Sequence, residues 1–416
     1  MNNKNPLKKI GIRQIILALF ILLWIINGTT KYIFNPPYNN DSQWDLKTNI
    51  TSIQTAINQK SPEDNSDHEQ ILPLHHLPVS FLLFDFIGRL PWKISKFLWF
   101  IVSVVLVLHL TKRTVSFTTD EGAILNFFNA GFVGLLIILF KGTYLSLASG
   151  QLSLFVIWLL FLFISAQDPG WKLSVLILAL STIKPHLAAP FFIYLIFKKE
   201  YKLLIWSTVI VAVSNIFISY FYLGPIQHWT VFYNTVIDFN AIATNDVMLM
   251  GASGRTDLAP FLSTLGFSLK AIFYIRMLLL VGGLASLYIY RNHFEKKTLL
   301  LNINIIFFLC FYHRDYDVLL LLIMSIPFLW TRASQLSIGY ILALFPLVLP
   351  IQGLFFKGIS IFPDFAVLWH LIGTSLIISI VGIGFFFIKT TPGFIYIKKM
   401  FIYWLSKNRL LDVMVQ

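Results

Sequence analysis

The amino-acid composition excludes a soluble protein. Hydrophobic residues make up 57% of the 416 positions and charged residues only 12%, whereas a soluble domain carries about 25% charged residues. The net charge of +13 would suggest a nucleic-acid partner for a soluble protein, but in so apolar a chain it points to membrane topology, and no nucleic acid is expected. A single cysteine, Cys310, excludes an internal disulfide. We therefore predict an all-α polytopic membrane protein in which residues 1–416 form one integral membrane domain.

Continuous apolar stretches predict about twelve transmembrane spans, several of them shorter than the roughly 20 residues that cross a bilayer as one helix. They lie at residues 10–28, 95–111, 123–141, 150–166, 171–184, 185–197, 203–222, 271–290, 298–312, 317–331, 336–351 and 366–388. Two of the short spans meet at Lys184-Pro185, where proline disfavours a continuous helix. Because a broken helix is tolerated in a membrane only where its backbone faces protein or a water-filled cavity, we expect a cavity near Lys184.

The distribution of charge predicts the orientation of these spans. The basic N-terminus precedes an apolar run with no small-residue cleavage site after it, so the first span is expected to be retained with its basic end in the cytoplasm. With both termini inside, the whole net charge of +13 falls on the inner side, as the positive-inside rule requires. Residues 29–94 and 223–270 then form long extracytoplasmic loops, and 389–416 form a basic cytoplasmic tail.

The first long loop contains a helical pattern directly after an acidic residue. Ile50, Ile53 and Ile57 recur at spacings of three and four, which predicts a short amphipathic helix on the membrane surface. Asp45 stands just before this pattern, with Asp41 four residues earlier. Asp45 is therefore either the N-cap of the helix or a catalytic carboxylate, and the spacing alone does not decide between these roles.

The predicted topology collects further polar residues at the outer ends of the spans, where ionisable side chains are costly and are functional candidates. Lys184 is expected either to extend its amine to the interface or to bind an anion, and Gln151 is a candidate for a hydrogen bond between helices. The segment 312–317, which reads YHRDYD, predicts either an internally paired loop or a site. His75 and His76 have no third ligand at metal spacing, and no phosphate-binding glycine motif is present, so no metal or cofactor is expected.

Three segments resemble glycosyltransferase family 87. Residues 150–202 carry the elements GQ, KP and a later proline in the order of that family's signature region. The loop sequence WDLKTNITSIQ is similar to the family's first loop, in which Asp-Leu opens an amphipathic helix, and YHRDYD is similar to a late loop that leads into Tyr-Asp. The sequence departs from the family where PLHHLP replaces an aromatic-Pro-Pro element at 73–78.

The resemblance implies a GT-C-type membrane fold and the transfer of a hexose, with mannose as the first choice, from a polyprenyl-phosphate sugar. The acceptor would be a lipid-linked or envelope glycan on the extracytoplasmic face of a bacterial plasma membrane, and no cofactor is implied. Asp45 would be the general base of an inverting transfer, with Asp41 as the alternative. The remaining candidates, which would bind the sugar or the phosphate, are Gln151, Lys184, Arg255, His313, Arg314 and Asp317.

Two other classes of function remain open from the residues alone. A lipid-linked oligosaccharide polymerase or ligase would also have many spans and an outward-facing site. A transporter or flippase would require polar residues at membrane depth on the inner half as well, and few are present there.

Overall fold

The computed structural model describes residues 79–120, 140–165, 170–222, 266–311 and 316–331, together with single positions in 46–51, 134–138 and 257–262. Throughout these residues the regular structure is helical and contains no strand, which confirms the all-α prediction. The α-helices, numbered in chain order, are α1 (Val79–Gly88), α2 (Trp92–Asp120), α3 (Lys141–Ser149), α4 (Ser153–Ser165), α5 (Trp171–Ser181), α6 (Pro185–Lys198), α7 (Tyr201–Tyr222), α8 (Leu269–Ile289), α9 (Lys296–Cys310) and α10 (Leu319–Thr331).

Three of the described helices are long and apolar enough to cross a membrane. They are α2 over Trp92–Phe117, α7 over Tyr201–Ile218 and α8 over Leu269–Ile289, and they coincide with predicted spans. Helices α4, α5 and α6 are apolar but shorter, as the sequence predicted for 150–166, 171–184 and 185–197. The predicted spans 10–28, 336–351 and 366–388, and all but a few positions of 123–141, lie outside the described residues, so the total of about twelve spans stays a prediction.

Helix α2 continues beyond the point at which the sequence predicted its end. Lys112 and Arg113 suggested that the span finishes at residue 111, but the helix runs to Asp120. Phe117 is buried at this end, and its ring packs edge-on against Phe161 of α4 at a centroid distance of 5.7 Å. The last turns of α2 are therefore stabilised by packing against another helix, which the two charged residues do not interrupt.

The inner part of the molecule is formed by α4, α6, α9 and α10. Most side chains of α9 and of the described part of α10 are buried, and the core extends to the start of α2 through Trp99. In contrast, α7 and α8 leave large apolar side chains exposed, such as Val213 and Leu278, which is 76% exposed. Since such surfaces are unfavourable in water and favourable in lipid, they agree with α7 and α8 being among the helices that could cross a membrane.

Helices α8 and α9 approach each other closely at a glycine. A Cβ atom built on Gly283 would lie 2.9 Å from Cδ1 of Ile306, whereas one on the neighbouring Gly282 would meet nothing within 4 Å. Small residues allow membrane helices to come together where no hydrophobic effect drives association. Gly283 therefore permits the contact that joins the outer helix α8 to the inner helix α9.

The helix predicted after Asp45 is present at its described positions, where Leu46, Lys47, Ile50 and Thr51 are all helical. Leu46 and Ile50 are buried in the hydrophobic core, while Lys47 and Thr51 are exposed. This pattern confirms the amphipathic character of the segment. At Leu46 and Ile50 this apolar face packs into the protein itself, while Ile53 and Ile57 lie outside the described residues.

Candidate functional site

The helix break predicted at Lys184-Pro185 is present. Helix α5 ends at Ser181, three residues form a turn, and α6 begins at Pro185 with Lys184 as its N-cap residue. The turn keeps its backbone bonded, because the amide of Lys184 donates to the carbonyl of Ser181 and its carbonyl accepts from Leu187. The N–H of a residue at the first helical position has no partner within the helix, and proline has no N–H to leave unpaired. The chain therefore restarts its helix at Pro185 at low cost.

A second turn precedes α4. Helix α3 ends at Gly150, whose φ of 73° lies in the left-handed region that a residue with a Cβ atom adopts at a cost. The amides of Gly150 and Gln151 both bond to the carbonyl of Ser146, which closes the turn. Gln151 and Ser153 are consequently placed side by side at the start of α4, and both are buried.

These two turns and the segment before α10 bring a group of polar side chains together. The ammonium of Lys184 lies 2.5 Å from the hydroxyl of Ser153 and 3.2 Å from Oε1 of Gln151. Ser153 in turn donates a hydrogen bond of 2.7 Å to Oδ1 of Asp317, 164 positions further along the chain. Lys184 itself is 3.7 Å from the same carboxylate oxygen. We call Gln151, Ser153, Lys184, His186, Tyr316 and Asp317 the lysine cluster.

Burial decides how the charges in the lysine cluster behave. Lys184 is only 4% exposed and Asp317 only 2%, so both charged groups are enclosed by protein. An ammonium and a carboxylate are tolerated at such depth when they are paired and hydrogen-bonded. The hydroxyl of Ser153 provides part of this pairing, because it accepts from Lys184 and donates to Asp317.

His186 and Tyr316 complete the lysine cluster. Nε2 of His186 lies 3.4 Å from Oδ2 of Asp317, and the His186 side chain is 33% exposed. The ammonium of Lys184 lies 4.8 Å from the ring centroid of Tyr316, within the range of a cation–π contact. His186 therefore forms the more accessible edge of a site whose other ionisable groups are enclosed.

Three helices begin at the lysine cluster. Ser153 is the first residue of α4, Lys184 caps α6, and Asp317 lies two residues before α10 begins. The N-terminus of a helix carries a partial positive charge and orients backbone N–H groups toward it, so it favours anions. Three such ends and a lysine converge on the single carboxylate of Asp317, and this arrangement suits the binding of an additional anionic group.

Among the residues that the structure describes, Gln151, Lys184 and Asp317 were predicted as site residues and are brought together. Asp45, Arg255, His313 and Arg314 lie outside the described residues, so their roles stay predictions. Asp317 accepts a hydrogen bond from Ser153 of α4 and lies 3.4 Å from His186 of α6. Asp317 is therefore not paired only within its own segment.

Sequence reasoning missed three members of the lysine cluster as site residues. Tyr316 directly adjoins Asp317 and His186 lies two residues after Lys184, and that proximity was the available signal. Ser153 carried a weaker signal, because a serine at the start of an apolar span is common; only its distance from Asp317 identifies it.

A second ion pair, between a half-buried arginine and a buried aspartate, involves helix α8. Nη2 of Arg276, on α8, is 3.4 Å from Oδ2 of the fully buried Asp257, and Nε of Arg276 donates to the carbonyl of Cys310 at 2.5 Å. Cys310 is the last residue of α9, where helix carbonyls lack partners. Arg276 thus stabilises the end of α9, from which the chain leads to Tyr316 and Asp317. No three His, Cys, Asp or Glu side chains in the described part of the chain could together hold a metal ion.

Comparison with known proteins identifies the family. Residues 75–311, more than half of the chain, match the model of Glycosyltransferase family 87. Neither the curated proteins nor the solved structures contain a match. The matched region includes the apolar spanning helices and four members of the lysine cluster, Gln151, Ser153, Lys184 and His186, and Asp317 follows it by six residues. The family is one of enzymes that transfer sugars, which excludes the transporter alternative, and its membrane character agrees with the helices. The chain therefore belongs to glycosyltransferase family 87.

Proposed function

We propose that this glycosyltransferase takes its sugar from a polyprenyl-phosphate donor and transfers it on the extracytoplasmic face to a lipid-linked or envelope glycan. The sugar is a hexose, with mannose as our first choice. The observation that carries the proposal is the lysine cluster, because a buried cation at three helix N-termini inside a membrane domain suits the phosphate of a lipid-borne donor. The proposal places the enzyme in a bacterial plasma membrane with both termini in the cytoplasm.

The charge of the leaving group explains why such a site would accelerate transfer. When the sugar–phosphate bond breaks, the phosphate gains negative charge, and fixed donors stabilise that change without reorganising. The ammonium of Lys184 is held by hydrogen bonds to Gln151 and Ser153, so its positive charge is fixed in place. In this proposal that charge stabilises the phosphate, while Asp317 and Ser153 hold Lys184 in position.

In this proposal the donor phosphate reaches the lysine cluster from its more accessible edge. His186 lies at the start of α6 and is partly exposed, whereas Lys184 and Asp317 lie behind it. We propose that His186 contacts the donor first and that Gln151 bonds a sugar hydroxyl. Arg255, His313 and Arg314 are further candidates for the phosphate, and the apolar helix surfaces would accommodate the prenyl chain.

The acceptor must lose a proton as its oxygen attacks the sugar. We propose Asp45 as the base that takes this proton, so that the transfer inverts the anomeric configuration. The burial of Leu46 and Ile50 supports this assignment, because it anchors the helix that follows Asp45 in the core of the protein.

The class of donor can be tested with membranes that contain the enzyme and its natural acceptors. The membranes would be supplied with polyprenyl-phosphate mannose, glucose or galactose, each radiolabelled in the sugar, or with the corresponding nucleotide sugars. We expect one lipid-linked sugar to label a lipid or glycan product directly, with mannose the first candidate. Labelling from a nucleotide sugar by the purified enzyme, with no response to any lipid-linked sugar, would contradict the proposal.

A further inference from the structure

A group of basic side chains lies at the end of the molecule away from the lysine cluster. Helix α6 runs from Lys184 to Lys198, and α9 runs from Lys296 toward the segment that holds Asp317. These helices contain 14 and 15 residues, so each is about 20 Å long. We call Lys198, Arg291 and Lys296 the distal basic cluster.

Aromatic contacts hold this cluster together across three elements. The ring of Phe197, beside Lys198, packs edge-on against Tyr288 at the end of α8, with a centroid distance of 5.3 Å. The guanidinium of Arg291 lies 4.0 Å above the same Tyr288 ring and donates a 2.7 Å hydrogen bond to its carbonyl. The end of α6, the end of α8 and the short 3₁₀ helix at Arg291–His293 are therefore fixed next to one another.

The electrostatics of the cluster favour an anion. The segments 198–202 and 291–297 contain Lys or Arg at six positions and Glu only at 200 and 295. Burial, together with the charges of Lys296 and Arg291, lowers the pKa of Lys198, which lies one residue beyond the predicted span. Cations that disfavour one another in this way would be stabilised by a negative group placed among them.

The surroundings of the cluster favour a lipid as the source of that negative group. Exposed aromatic and apolar side chains directly adjoin it, including Tyr288 and Ile289 at the end of α8 and Tyr201 at the start of α7. Near the same end, Lys202 lies 4.4 Å from the ring centroid of Trp171, which is itself exposed. Aromatic residues beside lysine and arginine are typical of the membrane–water interface, where headgroup phosphates are found.

We propose that Lys198, Arg291 and Lys296 form a binding site for the phosphate of an anionic membrane lipid, with its acyl chains along the exposed face of α8. The bound lipid stabilises the contact between α6, α8 and α9. It thereby supports α6, which carries Lys184 and His186 at its opposite end, and α9, from which the chain leads to Asp317. The proposal does not depend on the identity of the sugar donor.

The test measures thermal unfolding of the purified full-length protein in neutral detergent as lipid is added. We expect phosphatidylglycerol to raise the unfolding temperature, and phosphatidylcholine or inorganic phosphate to have little effect. The variant Lys296→Gln removes the exposed cation of the distal basic cluster. It should raise the lipid concentration that gives half of the temperature shift about fivefold, because this is the contribution of one interfacial cation. The combined variant Lys198→Gln, Arg291→Gln, Lys296→Gln should lose the shift.

The matched control is Lys270→Gln, because Lys270 lies at the other end of the 21-residue helix α8, about 30 Å from Tyr288. It removes the same charge and should respond to phosphatidylglycerol as the wild type does. An equal response of the wild type and Lys296→Gln would overturn the proposal, even if the combined variant does not fold. An equal shift with phosphatidylcholine or with inorganic phosphate would overturn the assignment to an anionic lipid.

Discussion

At the scale of single residues, Lys184 and Asp317 depend on each other. Both are almost fully buried, and Ser153 links them through two hydrogen bonds. Removing one member of a buried pair leaves the other without a counter-charge, which costs more than the pair itself contributes. Loss of activity in a single Lys184 variant would therefore combine a chemical and a structural effect.

We predict that Lys184→Met lowers the stability of the protein by about 3–5 kcal/mol, because Asp317 keeps a buried charge after losing the ammonium that lies 3.7 Å from it. The double variant Lys184→Met, Asp317→Asn should recover most of this loss, since the amide oxygen of the introduced asparagine can still accept the hydrogen bond from Ser153. Thermal unfolding of the two purified variants measures the difference. If Lys184→Met alone were as stable as the wild type, Asp317 would not depend on Lys184.

The role of Asp45 can be separated from helix capping by a conservative change. Asparagine caps a helix nearly as well as aspartate, so Asp45→Asn should leave the unfolding temperature unchanged. If Asp45 is the base, turnover should fall by roughly 10²–10⁴-fold. Asp41→Asn is the control and should stay near wild-type activity. An inactive Asp41→Asn beside an active Asp45→Asn would transfer the role of base to Asp41.

At the scale of helices, the sequence predicts where a helix breaks better than it predicts which helices pack against each other. The restart of the helix at Pro185 follows from the geometry of proline, and the structure confirms it. Two short helices were not predicted: α1 lies within a segment interpreted as loop, and α3 lies between two predicted spans. Their stability comes from packing against neighbouring helices, and a pattern of apolar residues does not show which neighbour will be there.

The contact between α8 and α9 gives a prediction with a control in the adjacent residue. Alanine is favoured over glycine inside a helix by about 1 kcal/mol, so Gly282→Ala, with open space at its Cβ, should raise stability. Gly283→Ala should cancel this gain or reverse it, because the new methyl group meets Ile306 at 2.9 Å. Thermal unfolding of both variants in the same detergent checks the difference. Equal stabilisation by the two substitutions would show that the helices are not held this closely.

At the scale of the whole molecule, composition determined the class of protein and charge predicted its orientation. The assembly of the lysine cluster could be predicted only in part. Gln151, Lys184 and Asp317 were identified because polar residues stand out at the ends of apolar spans. Their mutual contact was not predictable, since Ser153 and Asp317 are separated by 164 positions and meet only after α4, α6 and α10 have packed.

The predicted orientation can be tested by labelling two introduced cysteines in intact cells, after Cys310 has been replaced by serine. We expect an impermeant thiol reagent to modify Ser66→Cys, in the predicted first outer loop, and to leave Ser406→Cys unmodified until the cells are opened. The reason is that the net charge of +13 falls on the predicted inner side. Labelling of Ser406→Cys in intact cells would show that the two ends of the chain lie on opposite sides or that the orientation is reversed.

The claim that the lysine cluster binds the donor phosphate is tested most directly by equilibrium binding of radiolabelled polyprenyl-phosphate mannose. The measurement compares the purified wild type with the double variant Lys184→Met, Asp317→Asn, which lacks both charges of the buried pair and is expected to keep most of the wild-type stability. A desolvated contact between a cation and a phosphate contributes about 2–5 kcal/mol, so we predict that the double variant binds at least about 30-fold more weakly. Equal affinity in the two proteins, at equal stability, would contradict the assignment of this site to the donor phosphate.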